Sequence, residues 1–214
     1  MILITRPEEE AKKLAEMLER QGFECMAEPM IKIKYLKPDW ENILKSPVQS
    51  FISTSKNSRK FLPAGQVLAA IPEQGKDAQE LANWIIKNLT PEKGKLVYLR
   101  GDVISFDMAK TLTGKGFAVE EKIVYESQAP EVFSQNFLYN YHLLELATFF
   151  STRSLENFLT LIRQNKMEGK LKKLRILCMS EEISAAAYGH KFAKIYIADA
   201  PNLAAMIEKI DEVY

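Results

Sequence analysis

The stretch Lys95-Leu-Val-Tyr-Leu-Arg-Gly-Asp102 decides the class of fold that this sequence predicts. Its apolar run is typical of a buried strand, and Gly101 ends that run in a tight turn between one cation and one anion. A helix-like segment follows and leads into a second strand pattern, Gly116-Phe-Ala-Val-Glu-Glu-Lys-Ile-Val-Tyr-Glu-Ser127. A strand, a turn, a helix and another strand in this order predict a βαβ unit, and such units build parallel sheets.

Strand and helix patterns alternate on both sides of this unit. Apolar residues at helical spacing recur, for example, through residues 11–18 and 155–162, and short apolar runs separate such segments. About nine strands are predicted, which is many for a single sheet in a chain of 24.4 kDa. Two smaller α/β units therefore fit better than one. Their boundaries should be polar and poor in periodicity, and residues 34–38 and 126–130 have that composition.

The composition of the 214 residues excludes several classes of protein. Charged residues make up 27% and hydrophobic residues 47%, which is the balance of an ordinary globular protein rather than a disordered one. No apolar run approaches the roughly 20 residues that span a bilayer. Strand-like Ile2-Leu-Ile4 stands where a signal peptide would begin, so we expect a cytoplasmic protein without membrane contact. The net charge of +1 argues against nucleic-acid binding.

Residue types that bind metals and nucleotides are sparse in this sequence. Cys25 and Cys178 both lie inside apolar runs, where buried free thiols are expected rather than a disulfide or a redox pair. His142 and His190 are the only histidines, and neither has Cys or His partners at metal-ligand spacing. The sequence also lacks a Gly-x-Gly-x-x-Gly or Walker loop. We therefore predict that the protein uses no metal and no cofactor.

Two segments that end apolar runs are rich in hydroxyl groups. They are Ser53-Thr-Ser-Lys-Asn-Ser58 and Phe150-Ser-Thr-Arg-Ser154, and each leads into a helix pattern. Hydroxyl groups and free backbone N–H groups at a helix N-terminus favour anions, so both segments are candidate contacts for an acidic ligand. For either segment alone, ordinary N-capping is the simpler interpretation.

Four motifs follow one another along the chain at characteristic spacing. They are Ile4-Thr5-Arg6-Pro7, Thr54-Ser55-Lys56-Asn57, Leu99-Arg100-Gly101-Asp102 and the tail Ile197-Ala-Asp-Ala-Pro-Asn-Leu203. In their order and spacing they resemble the uroporphyrinogen-III synthase family over nearly the whole chain. The resemblance implies an α/β fold of two flavodoxin-like parallel-sheet lobes joined by a two-stranded hinge. Residues 1–34 and 130–214 would form a discontinuous lobe one, residues 40–123 lobe two, and residues 35–39 and 124–129 the hinge.

The resemblance also implies an activity. Members of the family close the linear tetrapyrrole hydroxymethylbilane into uroporphyrinogen III, with loss of water and inversion of the terminal pyrrole ring, in tetrapyrrole and heme biosynthesis. The reaction is that of a cyclising lyase and needs no cofactor. The cleft between the lobes of a monomer would take the substrate, and transient contact with hydroxymethylbilane synthase would deliver it.

Candidate site residues follow from the same resemblance. Tyr125 aligns with a hinge tyrosine of the family, and a phenol, whose ordinary pKa is about 10, carries a proton at neutral pH that it can donate to the leaving hydroxyl. A tyrosine that covers the hinge by packing is the alternative. Arg175 stands where the family often has a lysine, and it is expected to pair with a substrate carboxylate; an ordinary surface cation is the alternative. The predicted substrate contacts are Arg6, Thr54, Ser55, Asn57, Arg100, Gly101, Ser151, Arg175 and Ser184.

Two departures from the family pattern keep a second function open. Met179-Ser-Glu-Glu-Ile-Ser184 replaces an Ile-Gly-x-x-Thr-Ala-like turn and places two glutamates where an anion should bind. Residues 61–66 lead almost directly into residues 67–72, which suggests that one βα unit is missing. The alternative is therefore a non-catalytic tetrapyrrole-binding relative. A flavodoxin-like or receiver-like signalling domain is disfavoured, because Ile4-Thr5-Arg6-Pro7 provides neither a flavin phosphate loop nor an acidic cluster.

Overall fold

Two β-sheets of five strands each organise the residues that the computed structural model describes, which are 1–62, 77–214 and the backbone of 67–70. In chain order the strands are β1 (Ile2–Ile4), β2 (Cys25–Ala27), β3 (Lys32–Tyr35), β4 (Val48–Ser53), β5 (Val67–Ala70), β6 (Lys95–Gly101), β7 (Val119–Gln128), β8 (Leu146–Phe149), β9 (Arg175–Cys178) and β10 (Lys194–Ile197). The helices are α1 (Glu8–Glu19), α2 (Trp40–Ile43), α3 (Lys56–Arg59), α4 (Ala78–Asn88), α5 (Met108–Thr113), α6 (Gln135–Asn140), α7 (Thr152–Gln164), α8 (Glu181–Ala187) and α9 (Leu203–Val213). Short 3-10 helices lie at Pro91–Lys93, Tyr141–Leu143 and Glu168–Lys173. The predicted α/β fold is confirmed.

The first sheet is parallel throughout, in the order β10-β9-β8-β1-β2. Counted along the chain, these strands have the order 2-1-3-4-5 of a flavodoxin-like sheet. The order reverses between β1 and β8, because the chain moves outward from β1 to β2 and then returns to the other side of β1. Such a reversal is the place where open α/β sheets bind ligands.

Strand β1 shows how the first sheet is buried on both faces. Its three residues are fully buried, and alternate side chains of a strand point to opposite faces. Leu3 packs on one face with an aromatic cluster that includes Phe137 and Phe158. Ile2 and Ile4 pack on the other face, in the cluster that α1 and α9 supply. A continuous apolar run is therefore what this central strand requires.

The second sheet has the order β3-β7-β6-β4-β5. Strands β4 to β7 pair in parallel, and β3 beside β7 makes the sheet mixed, whereas the sequence predicted parallel strands only. Its order reverses between β4 and β6, as that of the first sheet does between β1 and β8. The face that carries Ile52 and Leu96 packs against α4 and α5, and the opposite face carries Phe51 and Val97.

The chain divides into two compact units, residues 1–32 with 128–214 and residues 33–127. Predicted hinge segments 35–39 and 124–129 stay a prediction; in the structure they are connected by a backbone hydrogen bond from Leu36 N to Val124 O of 2.8 Å. Strands β2 and β3 follow each other closely in the chain but belong to different sheets.

Part of the predicted shortening of lobe two falls on residues 63–66 and 71–76, which lie outside the described residues. Strand β5, the described part of that stretch, pairs with β4 in parallel and forms the edge of the second sheet. That one βα unit of the family pattern is missing from this stretch therefore stays a prediction.

Candidate active site

A pocket of about 340 Å³ lies at the carboxyl ends of β4 and β6, where the strand order of the second sheet reverses. Parallel strands direct their following loops to this edge, so residues distant in sequence meet there. Residues from the ends of three strands line the pocket, together with the turn at residues 103–106 and the start of α4. Among them are Thr54, Ser55, Tyr98, Arg100, Gly101 and Tyr125.

Tyr125 lies against Gly101 in this pocket. The register between β6 and β7 shifts by one residue after Arg100, so that Gly101 is opposite Tyr125. A Cβ atom on Gly101 would lie 2.5 Å from Cζ and 2.8 Å from the hydroxyl oxygen of Tyr125. Real Cβ contacts are longer than this, so the ring can take its place only because residue 101 has no side chain.

The turn after Gly101 holds the end of β7. Asp102 N donates to Tyr125 O at 3.1 Å, and Asp102 Oδ1 accepts from Ser127 N at 2.9 Å. One acidic residue thus binds the backbone on both sides of Glu126. This is the structural reason for the Arg-Gly-Asp order: the glycine admits the ring and the aspartate fixes the strand that carries it.

Arg100 brings a positive charge to the same pocket. Its Nε donates to Glu121 Oε1 at 2.6 Å, and its Nη1 donates to the carbonyl oxygen of Gly101 at 2.8 Å. These bonds orient the guanidinium group, and Nη2 has no hydrogen-bond partner among the described residues. A fixed guanidinium with a remaining donor suits a carboxylate ligand.

Thr54 and Tyr98 share a hydrogen bond of 2.9 Å between Oγ1 and the phenol oxygen. The Tyr98 side chain is almost fully buried in the core beneath the pocket. Burial raises the pKa of Tyr98, an effect that the Thr54 hydrogen bond and Arg100 oppose, so the phenol carries its proton at neutral pH. Sequence reasoning missed Tyr98. The only signal was one hydroxyl group inside the aliphatic run of β6.

Ser55 and Asn57 use their polar groups within the protein. Ser55 Oγ caps α3 by accepting from Asn57 N at 3.1 Å, and Asn57 Oδ1 accepts from the Tyr35 hydroxyl at 2.9 Å. Helix α3 is only four residues long, so its dipole is weak and it offers little to an anion. The N-cap interpretation accounts for Ser55, and Asn57 does not line the pocket.

Arg6 and Ser151 lie at the equivalent edge of the first sheet, after β1 and β8. The Arg6 guanidinium lies 4.6 Å from the centre of the Phe150 ring, and its Nε donates to Glu10 Oε2 at 2.9 Å. Ser151 caps α7 by accepting from Ser154 N at 3.1 Å. The structure thus brings these two predicted residues to the reversal point of their own sheet.

Comparison with known proteins decides the family of this chain. A family model described as uroporphyrinogen-III synthase HemD matches residues 63–208, well over half of the chain. The chain belongs to the uroporphyrinogen-III synthase family. No curated protein sequence matches the chain.

Solved structures of uroporphyrinogen-III synthases share the fold. The crystal structure of uroporphyrinogen-III synthetase from Helicobacter pylori is 15% identical, with a TM-score of 0.64, over 100% of this chain and 99% of that chain. A mutant uroporphyrinogen III synthase from the extremely thermophilic bacterium Thermus thermophilus is 12% identical, with a TM-score of 0.50, over 99% of this chain and 98% of that chain. The likeness extends over both chains almost completely, so it concerns the whole fold and not one unit.

Two further residues chosen from the resemblance to uroporphyrinogen-III synthases have hydrogen-bond partners within the first unit. Arg175 begins β9, at the amino edge of the first sheet, opposite to the edge of Arg6. Its Nη1 donates to Val213 O at 2.6 Å, and its Nη2 pairs with Glu145 at 3.4 Å. Ser184 is buried in α8, where its hydroxyl donates to Glu181 O at 2.8 Å. Both side chains stabilise the first unit.

Neither a metal-binding cluster nor a membrane-crossing helix is found in the part of the chain that the structure describes. No group of three or more His, Cys, Asp or Glu side chains is arranged to hold a metal ion there. Likewise, no described helix combines the length and the apolar character needed to cross a membrane.

Proposed function

We propose that this protein closes hydroxymethylbilane to uroporphyrinogen III, with loss of water and inversion of the terminal pyrrole ring. Membership of the uroporphyrinogen-III synthase family carries the proposal. The pocket at the reversal point of the second sheet supports it, because it combines a phenol, a guanidinium and a threonine hydroxyl at the edge where such sheets bind ligands.

Size limits what this pocket holds. A volume of about 340 Å³ lies at the lower end for ligand pockets, which suits one pyrrole ring with its acidic side chains and not a whole linear tetrapyrrole. We assign Arg100 Nη2 and the Thr54 hydroxyl to a carboxylate of that ring. Arg6 and Ser151 in the first unit are offered as contacts for another acidic side chain of the substrate.

Tyr125 is the proposed general acid. Its phenol lines the pocket and can donate a proton to the terminal hydroxyl of the substrate, which then leaves as water. The methylene carbon of the resulting azafulvene bonds to the substituted α-carbon of the terminal ring and gives a spiro intermediate. The bond between that α-carbon and its original methylene bridge then breaks, which leaves a second azafulvene on the neighbouring ring. The free α-carbon of the terminal ring, now inverted, attacks this azafulvene, and loss of the proton at that carbon restores the pyrrole. Donation of this kind accelerates reactions by about 10²–10⁴-fold.

Geometric control is the larger part of the task. Hydroxymethylbilane closes without an enzyme to the unrearranged isomer, so the protein must favour the inverted ring over the direct closure. Holding reacting groups in place can contribute about 7–11 kcal/mol. A pocket that binds one pyrrole ring through two polar contacts can hold that ring in the orientation that the rearranged closure needs.

The cellular setting is proposed along with the activity. We propose a cytoplasmic monomer that receives its unstable substrate through transient contact with hydroxymethylbilane synthase. Sedimentation of the pure protein, alone and mixed with that synthase, tests the oligomeric state and the contact.

Product analysis tests the proposed activity. The purified protein is incubated with hydroxymethylbilane, the products are oxidised, and the porphyrin isomers are separated by chromatography. We expect the type III isomer, formed faster than the type I isomer forms in buffer. Type I product alone, at the rate of the uncatalysed reaction, would overturn the proposal and leave a non-catalytic tetrapyrrole-binding relative as the better interpretation.

A further inference from the structure

We propose that Tyr98 is a positioning residue that acts through Thr54, and that it directs the Thr54 hydroxyl proton toward a carboxylate of the bound pyrrole ring. The inference rests on the proposed function, since it names how the same pocket recognises its substrate. Tyr98 itself need not touch the substrate.

The surroundings of Tyr98 call for an apolar ring. Its side chain is 2% exposed and belongs to the core cluster of Ile52, Met108 and Leu112. A phenylalanine would pack there equally well and would avoid the cost of burying a hydroxyl group. The phenol oxygen forms a hydrogen bond with Thr54 Oγ1 at 2.9 Å, and both residues line the pocket.

Hydrogen-bond inventory then decides the direction of the bond in the complex. A hydroxyl group has one proton to donate, whereas a carboxylate can only accept. When a carboxylate binds at Thr54, the Thr54 proton must point to it, and the Tyr98 phenol must donate to Thr54 Oγ1. Raised by burial, the pKa of Tyr98 keeps the required proton in place at neutral pH.

The chain Tyr98–Thr54–carboxylate also gains from its order. In a hydrogen-bonded series each donor polarises the next, and a low local dielectric strengthens the effect. Arg100 lines the same pocket and supplies the opposite charge. A threonine hydroxyl that is already oriented loses less entropy on binding than a freely rotating one.

Four variants of the full-length protein separate this role from packing. They are Tyr98→Phe, Thr54→Val, the double variant and Thr54→Ser, with Tyr139→Phe as the matched control because Tyr139 is an exposed tyrosine of the first unit. We expect Tyr98→Phe and Thr54→Val each to raise KM about fivefold with kcat within about twofold, the loss of one hydrogen bond. Thr54→Ser should retain the wild-type KM.

The double variant gives the decisive comparison. Because Tyr98 acts through Thr54, the KM of the double variant should equal that of Thr54→Val alone. Independent packing effects of the two changes would instead multiply in KM. Multiplied effects, or an unchanged KM in Tyr98→Phe, would overturn the inference. Thermal melts accompany each variant, so that a rise in KM caused by loosened packing is recognised by a lower Tm.

Binding of uroporphyrin III separates this inference from the proposed function. The stable porphyrin is titrated into wild-type protein and each variant, and its fluorescence reports Kd without turnover. Suppose that Tyr98→Phe binds the porphyrin more weakly than the wild-type protein does, and that the wild-type protein makes no type III product. These two results together would retain the inference and reject the proposed function. Equal Kd values for wild type and Tyr98→Phe, or no binding at all, would reject the inference.

Discussion

Tyr125 and Gly101 occupy one position between them: the Tyr125 ring fills the space in which a side chain of residue 101 would lie. The one-residue shift in register between β6 and β7 brings the two residues opposite each other. Asp102 then holds the backbone of Tyr125 with a hydrogen bond of 3.1 Å. A strand irregularity thus aims a phenol into the pocket, which is the usual consequence of such irregularities near functional sites.

Tyr125→Phe should keep the fold and lower kcat tenfold or more, because only the proposed proton donor is removed. Steady-state turnover of hydroxymethylbilane measures the effect, and Tyr139→Phe controls for loss of a phenol elsewhere. Wild-type turnover in Tyr125→Phe would show that Tyr125 has a packing role only.

Gly101→Ala should lower kcat by at least about tenfold as well, because the new methyl group displaces the Tyr125 ring. The backbone of residue 101 lies outside the left-handed region, so alanine strains it little, and the atoms it meets are the outer end of a side chain. We therefore expect a normal far-ultraviolet circular dichroism spectrum. Combined with Tyr125→Phe, the change should cost no further activity; a further multiplied loss would mean that Gly101 serves the reaction in some other way.

Sequence periodicity was sufficient for the α/β class, because burial of a helix or strand face leaves a mark in every element. The four motifs also led to Thr54, Arg100 and Gly101, and alignment with the hinge tyrosine of the family led to Tyr125. The structure brings these four residues into one pocket. The register between neighbouring strands, in contrast, produces no recognisable pattern in the sequence. The close approach of Gly101 to Tyr125 was therefore not predicted from the sequence.

Tyr98 and Arg175 show the limits of reasoning from residue type. Tyr98 was assigned to a strand core, and its ring does pack there, but a strand pattern does not show where the far end of a long side chain emerges. Arg175 was chosen because the family often has a lysine at its position, and residue type alone did not show that the first residue of β9 lies at the amino edge of the sheet. Its contact with a substrate carboxylate stays a prediction.

Ser134 should be important for the stability of the first unit. Its N and Oγ both donate to the buried carboxylate of Glu28, at 2.8 and 2.5 Å, and its Oγ also accepts from Phe137 N at 3.0 Å. Ser134→Ala should lower the free energy of unfolding by about 2 kcal/mol, since hydrogen bonds to charged groups contribute about 1.5–3 kcal/mol. Urea denaturation measures the change. Thr160→Ala, at an exposed helix hydroxyl, is the control, and equal effects of the two changes would contradict the prediction.

Ser50 and Ser58 are two buried serines of the second unit that differ in their hydrogen bonds. Both are buried, but Ser50 Oγ has no hydrogen-bond partner among the described residues, whereas Ser58 Oγ bonds to Ser53 Oγ at 2.6 Å and donates to Ser55 O at 3.1 Å. Ser50→Ala should leave the free energy of unfolding unchanged or raise it by up to about 1 kcal/mol, while Ser58→Ala should lower it by about 1–3 kcal/mol. Urea denaturation of both variants checks the contrast. Equal destabilisation would show that the Ser50 hydroxyl has a partner.

The two thiols should make stability depend on alkaline pH. Burial raises the pKa of Cys178 to about 12 and that of Cys25 to about 11, whereas an unfolded cysteine has a pKa of about 8.5. The folded protein therefore retains protons that the unfolded chain loses, and the free energy of unfolding should fall as pH rises from about 8.5 toward the folded values. At about pH 8, iodoacetamide should label the folded protein far more slowly than the protein in urea.

Cys178→Ala isolates one of these thiols. Between about pH 7.5 and 9.5, wild-type protein should lose about 1 kcal/mol of unfolding free energy through Cys178, and the variant should lack that part of the pH dependence. Urea denaturation at both pH values gives the comparison, in which the lower overall stability of the variant cancels. Parallel pH profiles for the two proteins, or rapid labelling of both thiols in the folded state, would show that Cys178 is not held in the core as a neutral thiol.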